Sequence, residues 1–246
     1  MKRWLAVRQA ARNNPAMPSD LPRHPVPRLR PEAAAALDRD GCMLARNAVP
    51  ADGIEPLRAA FEAGYLPSNR WPAPRGRDMR HAVLDNDPWV QRVCRLPVLL
   101  AAAGHIIAEP FFLAQVEGRE PLTGGGFQNL HRDNDDSPHG MVSALVFLDP
   151  YGADNGATRI VPGTHHGEPK DGKTAESRAQ TLSGQPGDIL VLNAQVLHGG
   201  TVNRSGAPRR SLLISYFAEP TMAEHLRSQA LRNVTMAVSE IFAPGA

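Results

Sequence analysis

Three side chains carry metal-ligand chemistry: His131 and Asp133 in Leu130-His-Arg-Asp133, and His198 in Gln195-Val-Leu-His-Gly-Gly200. On an extended strand, side chains two positions apart share a face, so His131 and Asp133 point one way and Arg132 the other. That pair can chelate one ion, and a third donor must come from elsewhere in the fold. His198 follows the apolar run Asp188-Ile-Leu-Val-Leu-Asn-Ala-Gln-Val-Leu197, which reads as a buried strand with the imidazole at its end. Two imidazoles and one carboxylate fill one face of an octahedron. The three positions left open suit ferrous iron with a chelating cosubstrate and O2. A lone His-x-Asp is weak evidence, because most such pairs are solvated or hydrogen-bonded to each other.

Arg209 strengthens the case. It stands eleven positions beyond His198 and opens the strand Arg209-Arg-Ser-Leu-Leu-Ile-Ser-Tyr-Phe217, after a stretch rich in turn residues. A guanidinium there could grip the far carboxylate of a dicarboxylate with two hydrogen bonds. Alternation groups Arg209 with Ser211, Leu213 and Ser215, and Arg210 with Leu212, Ile214 and Tyr216, so only one of the two arginines can face the site.

His131-Arg-Asp133, Asp154-Asn-Gly-Ala-Thr-Arg-Ile-Val-Pro-Gly-Thr-His165, Pro186-Gly-Asp through His198, and then Asn203 and Arg209 follow one another in a recognisable order. With the opening Asp40-Gly-Cys-Met-Leu-Ala-Arg-Asn-Ala-Val-Pro50, this pattern resembles the phytanoyl-CoA dioxygenase-like family of Fe(II)/2-oxoglutarate oxygenases across residues 39 to 220. The resemblance implies iron on His131, Asp133 and His198, and 2-oxoglutarate held by Arg209 in preference to Arg210. It further implies O2 as oxidant, release of succinate and CO2, and hydroxylation of an unactivated C–H bond. Related halogenases have a small residue where this chain has Asp133, so the carboxylate points to hydroxylation or another oxidation. Gln115, in Phe111-Phe-Leu-Ala-Gln-Val116, resembles a polar position that approaches the cosubstrate's other end, and a structural glutamine is the equal alternative. The stretch Gly118–Leu130 departs from the family pattern, and its three glycines, Gly124 to Gly126, suggest a mobile loop.

Elements that could position these residues follow from periodicity. Residues 31–40 and 53–64 read as helices, with Ile54, Leu57, Ala60 and Phe61 at helical spacing. Residues 87–107 read as further helices, and 221–242 as a closing one. From Phe111 onward short apolar runs alternate with turn residues, among them Gly140–Leu148 and Thr158–Val161. Helices followed by many short strands predict a mainly β fold with flanking helices, a double-stranded β-helix (jelly roll, cupin-like). At 246 residues one domain over 31–246 suffices, preceded by a Pro- and Arg-rich extension over 1–30.

Composition narrows the function classes. With 27 basic and 25 acidic side chains the net charge is +2, without the one-sided field of a nucleic-acid binder. No apolar run reaches the ~20 residues of a spanning helix, and the start lacks a secretory core, so the expected setting is cytoplasmic, away from membranes. The two cysteines, Cys42 and Cys94, have no zinc or disulfide spacing and read as reduced thiols.

The expected partner is a small molecule. Arg70, Arg75, Arg77 and Arg80 could form a lid for an anionic substrate, with a solvated basic loop as the commoner alternative. His139, Asp135 and Asp136 sit in the loop after the ligand pair, where polar residues are usually only solvated. His165 and His166 read as turn residues, and Asp188 as the end of a tight turn. Two competing classes remain: a cupin-like enzyme using the same ligands without redox chemistry, and a jelly-roll binding protein with a vestigial site. Neither requires Arg209.

Overall fold

The computed structural model describes residues 20–76, 78–133, 137–167 and 172–245. Most of the expected N-terminal extension, together with Arg77, Asp135 and Asp136, lies outside them. The described elements begin with a short strand β1 (Arg23–Val26), helix α1 (Pro31–Asp40), strand β2 (Cys42–Ala45) and helix α2 (Ala51–Ala63). Strand β3 (Met79–Val83), helices α3 (Pro88–Val93) and α4 (Pro97–Ile107), and the long strand β4 (Phe111–Pro121) follow. Then come β5 (Met141–Phe147), β6 (Thr158–Ile160), β7 (Gln180–Thr181), β8 (Ile189–Asn193), β9 (His198–Gly200) and β10 (Ser211–Ala218). The chain closes with helix α5 (Met222–Ser228) and strand β11 (Ile241–Pro244).

Local chemistry explains the helix ends. Pro31 starts α1 where no intrahelical N–H is needed, and Gly41, left-handed at φ 71°, returns its N–H to the Leu37 carbonyl. Asp87 caps α3 by accepting from the N–H groups of Trp89 (2.9 Å) and Val90 (3.0 Å).

Eight strands form the large sheet in the order β1-β11-β4-β10-β5-β8-β2, with β3 also on β4. A smaller sheet runs β7-β6-β9. Alternation along the central strands gives each face its job. Val142, Ala144 and Val146 of β5, Ile189 and Val191 of β8, and Leu212, Ile214 and Tyr216 of β10 pack in one apolar core with the helices. The intervening Leu145, Phe147, Leu190 and Leu192 meet Ile160, Val196 and Tyr151 between the sheets. Candidate chemistry sits on that inner side. This is the mainly β jelly roll with flanking helices that the sequence predicts.

Three expectations are corrected. The closing helix over 221–242 is an α-helix only over Met222–Ser228, tightens to a 3-10 helix over Gln229–Arg232 and stops at Asn233, left-handed at φ 57°. Beyond it Met236 and Val238 are buried two apart, as in an extended chain, and β11 follows. Residues 23–26, assigned to the extension, add a parallel edge strand to β11. The three glycines are fixed in place: Gly124 and Gly126 are left-handed at φ 79° and 90°, a Cβ on Gly125 would lie 2.2 Å from the Asp78 carbonyl oxygen, Gly124 N–H donates to Asn203 O (2.7 Å), and Asn203 N–H donates to Gly125 O (2.9 Å).

Candidate metal centre

His131 and His198 face each other as an antiparallel pair, each N–H donating to the other's carbonyl at 2.9 and 3.0 Å. The apolar run does not end at His198, as the sequence suggests. Strand β8 stops at Asn193, a turn crosses 194–197, and His198 opens β9 in the other sheet. That buried turn kept the apolar character of a strand, which periodicity alone cannot distinguish. Asp133 N–H donates to Ala194 O (2.9 Å), so the same turn fixes the carboxylate's backbone. Arg132 points away and pins the segment from behind, donating to the carbonyls of Gln195 (2.8 Å) and Thr164 (2.9 Å).

One ligand atom from each of His131, Asp133 and His198 lies within 4.8 Å of the others. Nε2 of His131 stands 3.6 Å from Asp133 Oδ1, and Nε2 of His198 stands 3.6 Å from Oδ2. Each imidazole has its Nδ1 against a backbone carbonyl, His131 on Asn129 O (2.8 Å) and His198 on Val196 O (3.0 Å). A carbonyl only accepts, so Nδ1 carries the proton and the Nε2 lone pair is directed at the centre. Ser143, on the inner face of β5, donates to Asp133 Oδ2 at 3.0 Å.

Electrostatics agree with a cation site. Burial pushes the Asp133 carboxyl up, but pairing with His131, the charge of His198 and the Ser143 hydroxyl outweigh it and hold it well below the usual range. Pairing with Asp133 raises His131 against the opposing effect of burial, while burial lowers His198. The donor set, two imidazoles and one carboxylate on one side of an open space, fits iron(II).

Arg209 lines the same cavity as all three ligand residues, with Thr158 and Ser211. It is 5% exposed, its nearest partner is the Tyr151 hydroxyl, its Nε is buried without a partner, and no carboxylate pairs with it among the described residues. Tyr151 also lies under the guanidinium at 4.5 Å and stacks on Phe147 at 3.7 Å. Arg210 is on the opposite face, bound to Asp149 (2.8 and 2.9 Å) and Glu62 (3.1 Å). Asn203 organises the turn that delivers Arg209, accepting from Ser205 Oγ and Gly206 N–H and donating to Pro121 and Ala207 carbonyls.

A second cavity, of about 420 Å3, meets the first at Asp133, Arg119, Ser143 and Leu213. Gln115 lines this one, on the side away from Arg209. Its amide donates to Glu117 Oε2 (2.9 Å) and accepts from Arg232 (2.7 Å). Of the proposed lid arginines, Arg75 reaches inward to Glu117 (2.8 Å). Arg80 instead pairs with Glu62 and Glu120, and Arg70 is exposed. His139 pairs with Glu109 at 3.2 Å on the rim. His165 and His166 each lie near the Asp38 carbonyl, and Asp188 accepts from the N–H groups of Asn47 and Gln185, so all three stay structural. Sequence reasoning missed Tyr151, Ser143, Glu117, Arg119 and Arg232. For Glu117 and Arg119 the signal existed, since both alternate with Gln115 along β4.

Comparison with known proteins is consistent with this geometry. The model of the phytanoyl-CoA dioxygenase (PhyH) family matches residues 37–211. Dioxygenase olcK of Penicillium canescens is 30% identical over 207 residues, covering 73% of this chain and 67% of that protein. Dioxygenase cdmA of Talaromyces verruculosus is also 30% identical, over 145 residues, 55% of this chain and 47% of that protein, so the match spans about half of its length. Among solved structures, HygX from Streptomyces hygroscopicus with nickel, 2-oxoglutarate and hygromycin B bound superposes with a TM-score of 0.65. It covers 78% of this chain and 88% of that one at 19% identity, a likeness of fold.

Proposed function

The chain belongs to the phytanoyl-CoA dioxygenase family, and from that premise we propose that it is an iron(II)- and 2-oxoglutarate-dependent dioxygenase that hydroxylates a C–H bond of a small organic molecule. Arg209 carries this reading: a buried guanidinium with no carboxylate partner among the described residues shares a cavity with three converging ligand atoms. A cation so placed calls for an anion, and the far carboxylate of 2-oxoglutarate supplies one. A non-redox metalloenzyme or a vestigial binding protein has no use for it.

His131, Asp133 and His198 would hold the iron, and Arg209, oriented by Tyr151, the cosubstrate. When bound, iron(II) supplies the O2 activation that couples decarboxylation of 2-oxoglutarate, to succinate and CO2, with transfer of one oxygen atom into the substrate's C–H bond. The protein's own part is positional. The Asn129 and Val196 carbonyls keep both imidazoles in one tautomer, Ser143 steadies the carboxylate, and Leu145 and Leu192 give the Arg209 cavity apolar walls. Gln115 holds Glu117 and Arg232 in place beside the second cavity. The free cysteines, Cys42 and Cys94, fit a reducing cytoplasmic setting in which iron stays ferrous. No helix among the described residues is long and apolar enough to cross a membrane.

The test is incubation with Fe(II), 2-oxoglutarate and isotopically labelled O2, with and without candidate substrates. Succinate carrying one labelled oxygen atom is expected. Succinate no greater than in a metal-free control would overturn the proposal.

A further inference from the structure

The cavity of about 420 Å3 beside the ligand cluster has more basic than acidic side chains in its lining. Arg75, Arg119 and Arg232 line it. Glu117, 1% exposed, is shared between Arg75 (2.8 Å) and Arg119 (2.6 Å). Asp133 is committed to the histidines, and Glu224 is exposed. Among the described residues no carboxylate pairs directly with Arg232. It donates only to neutral groups: Gln115 Oε1 (2.7 Å), His225 Nδ1 (2.7 Å) and Ser228 Oγ (3.4 Å).

Two observations show that Arg232 sits in an unbalanced place. Burial, and then the neighbouring charge of Arg75, act against its protonated form and outweigh the opposing charges of Glu117 and Asp85. His225 also lines the cavity and is 2% exposed. Because its Nδ1 accepts from Arg232, its proton is on Nε2, which is buried without a partner. Burial pushes the His225 imidazole down to about 3, so the ring stays neutral and cannot add to the positive charge. Arg75 Nε is likewise buried and unpartnered. Elsewhere the cavity has apolar lining from Met141, Leu213 and Phe217.

Building on the oxygenase reading, we propose that this cavity is the substrate site and that it takes a small organic carboxylate, its acid group on Arg232 and Arg75 and its hydrocarbon body against Leu213 and Phe217. One negative charge balances Arg232, which has no carboxylate partner among the described residues, and two carboxylate oxygens can accept from the Arg232 and Arg75 guanidiniums. The acid end anchors the molecule while the hydrocarbon reaches toward Asp133, where the two cavities meet. Among the described arginines of that segment, Arg75 is thus the one that serves the anion role.

The experiment uses ligand-observed NMR on the full chain loaded with Zn(II) and saturating 2-oxoglutarate. Probes are two matched pairs, 4-phenylbutanoate with 4-phenylbutanamide and octanoate with octanamide. The acids are expected to bind at least tenfold more tightly than the amides. Arg232→Gln should reduce that preference to within about twofold, and Arg232→Lys should restore part of it. Arg232 leaves no carboxylate unpaired when replaced, so both variants should fold, as circular dichroism will show. With 2-oxoglutarate bound, no preference for the acids, or a preference that survives Arg232→Gln, overturns the inference alone. Loss of acid binding in Arg209→Leu but not in Arg232→Gln would place the acids in the cosubstrate site and overturn it too. If 2-oxoglutarate itself does not bind the loaded protein, the underlying oxygenase reading fails and the inference with it.

Discussion

Replacing Arg209 and Arg210 in turn separates a binding role from a stabilising one. Arg209 offers a carboxylate two charge-assisted hydrogen bonds, each worth about 1.5–3 kcal/mol. Arg209→Leu should therefore cost roughly 3–5 kcal/mol of 2-oxoglutarate binding, about two to three and a half orders of magnitude in Kd at 1.4 kcal/mol per tenfold. Stability should hardly change. The Tyr151 hydroxyl loses its partner, but a buried cation without a counter-ion is removed as well, and the two effects oppose each other. Arg210→Leu should do the reverse. Asp149 is 5% exposed and keeps Arg58, at 3.2 Å, and the backbone N–H of residue 210, at 2.8 Å, once the Arg210 side chain is gone. A loss of about 2–4 kcal/mol follows for a buried ion pair broken on one side with partial compensation. At roughly 2–4 °C per kcal/mol for a domain of this size, Tm should fall by about 4–16 °C. Calorimetric titration of 2-oxoglutarate into anaerobic Fe(II)-loaded protein, with a thermal scan of each variant, reads both quantities. Weakened cosubstrate binding in Arg210→Leu with unchanged binding in Arg209→Leu would refute the assignment.

Two further outcomes follow from the same contacts. Ser143→Ala frees one oxygen of Asp133 and should lower Fe(II) affinity about 10- to 100-fold, measured by metal competition, with little change in Tm. Burial pushes the Glu117 carboxyl up, yet Arg119, His81 and Arg75 outweigh it and hold it well below its ordinary 4.5. A carboxylate depressed on folding stabilises the protein above its unfolded pKa, and that contribution is lost as pH falls through the folded value. Glu117→Gln should thus be less stable than wild type at pH 7, with the difference shrinking steadily as pH drops below about 4.5 in denaturant titrations. A gap independent of pH would contradict the assignment.

How far the sequence spoke varied with the range of the interactions involved. Alternation told which way His131, Asp133 and Arg132 point, and it grouped Arg209 with Ser211 and Leu213, a grouping the cavity lining repeats. Its limit was the apolar stretch before His198, because Val196 and Leu197 are buried in a turn as fully as they would be in a strand. The C-terminal segment misled for a related reason. Its alanines, leucines, arginines and glutamates favour a helix locally, whereas burial of Val234, Met236 and Val238 and the pairing of Ile241 and Phe242 are set by distant strands. Tyr151 and Arg232 were illegible, since their partners Arg209 and Gln115 lie 58 and 117 positions away. The arginine-rich segment showed the limits of composition: Arg75 turns into the cavity and Arg80 binds Glu62 and Glu120, neither of which lines it, a difference no charge count contains.

The central claim is that His131, Asp133, His198 and Arg209 form one site for iron(II) and 2-oxoglutarate. Anaerobic addition of Fe(II) followed by 2-oxoglutarate tests it directly through the weak visible charge-transfer band of a chelated 2-oxo acid. The band should grow to one equivalent of each component in the wild-type protein and be absent in Asp133→Ala. Intact Fe(II) binding without a band, or a band and iron binding that both persist in Asp133→Ala, would contradict the account.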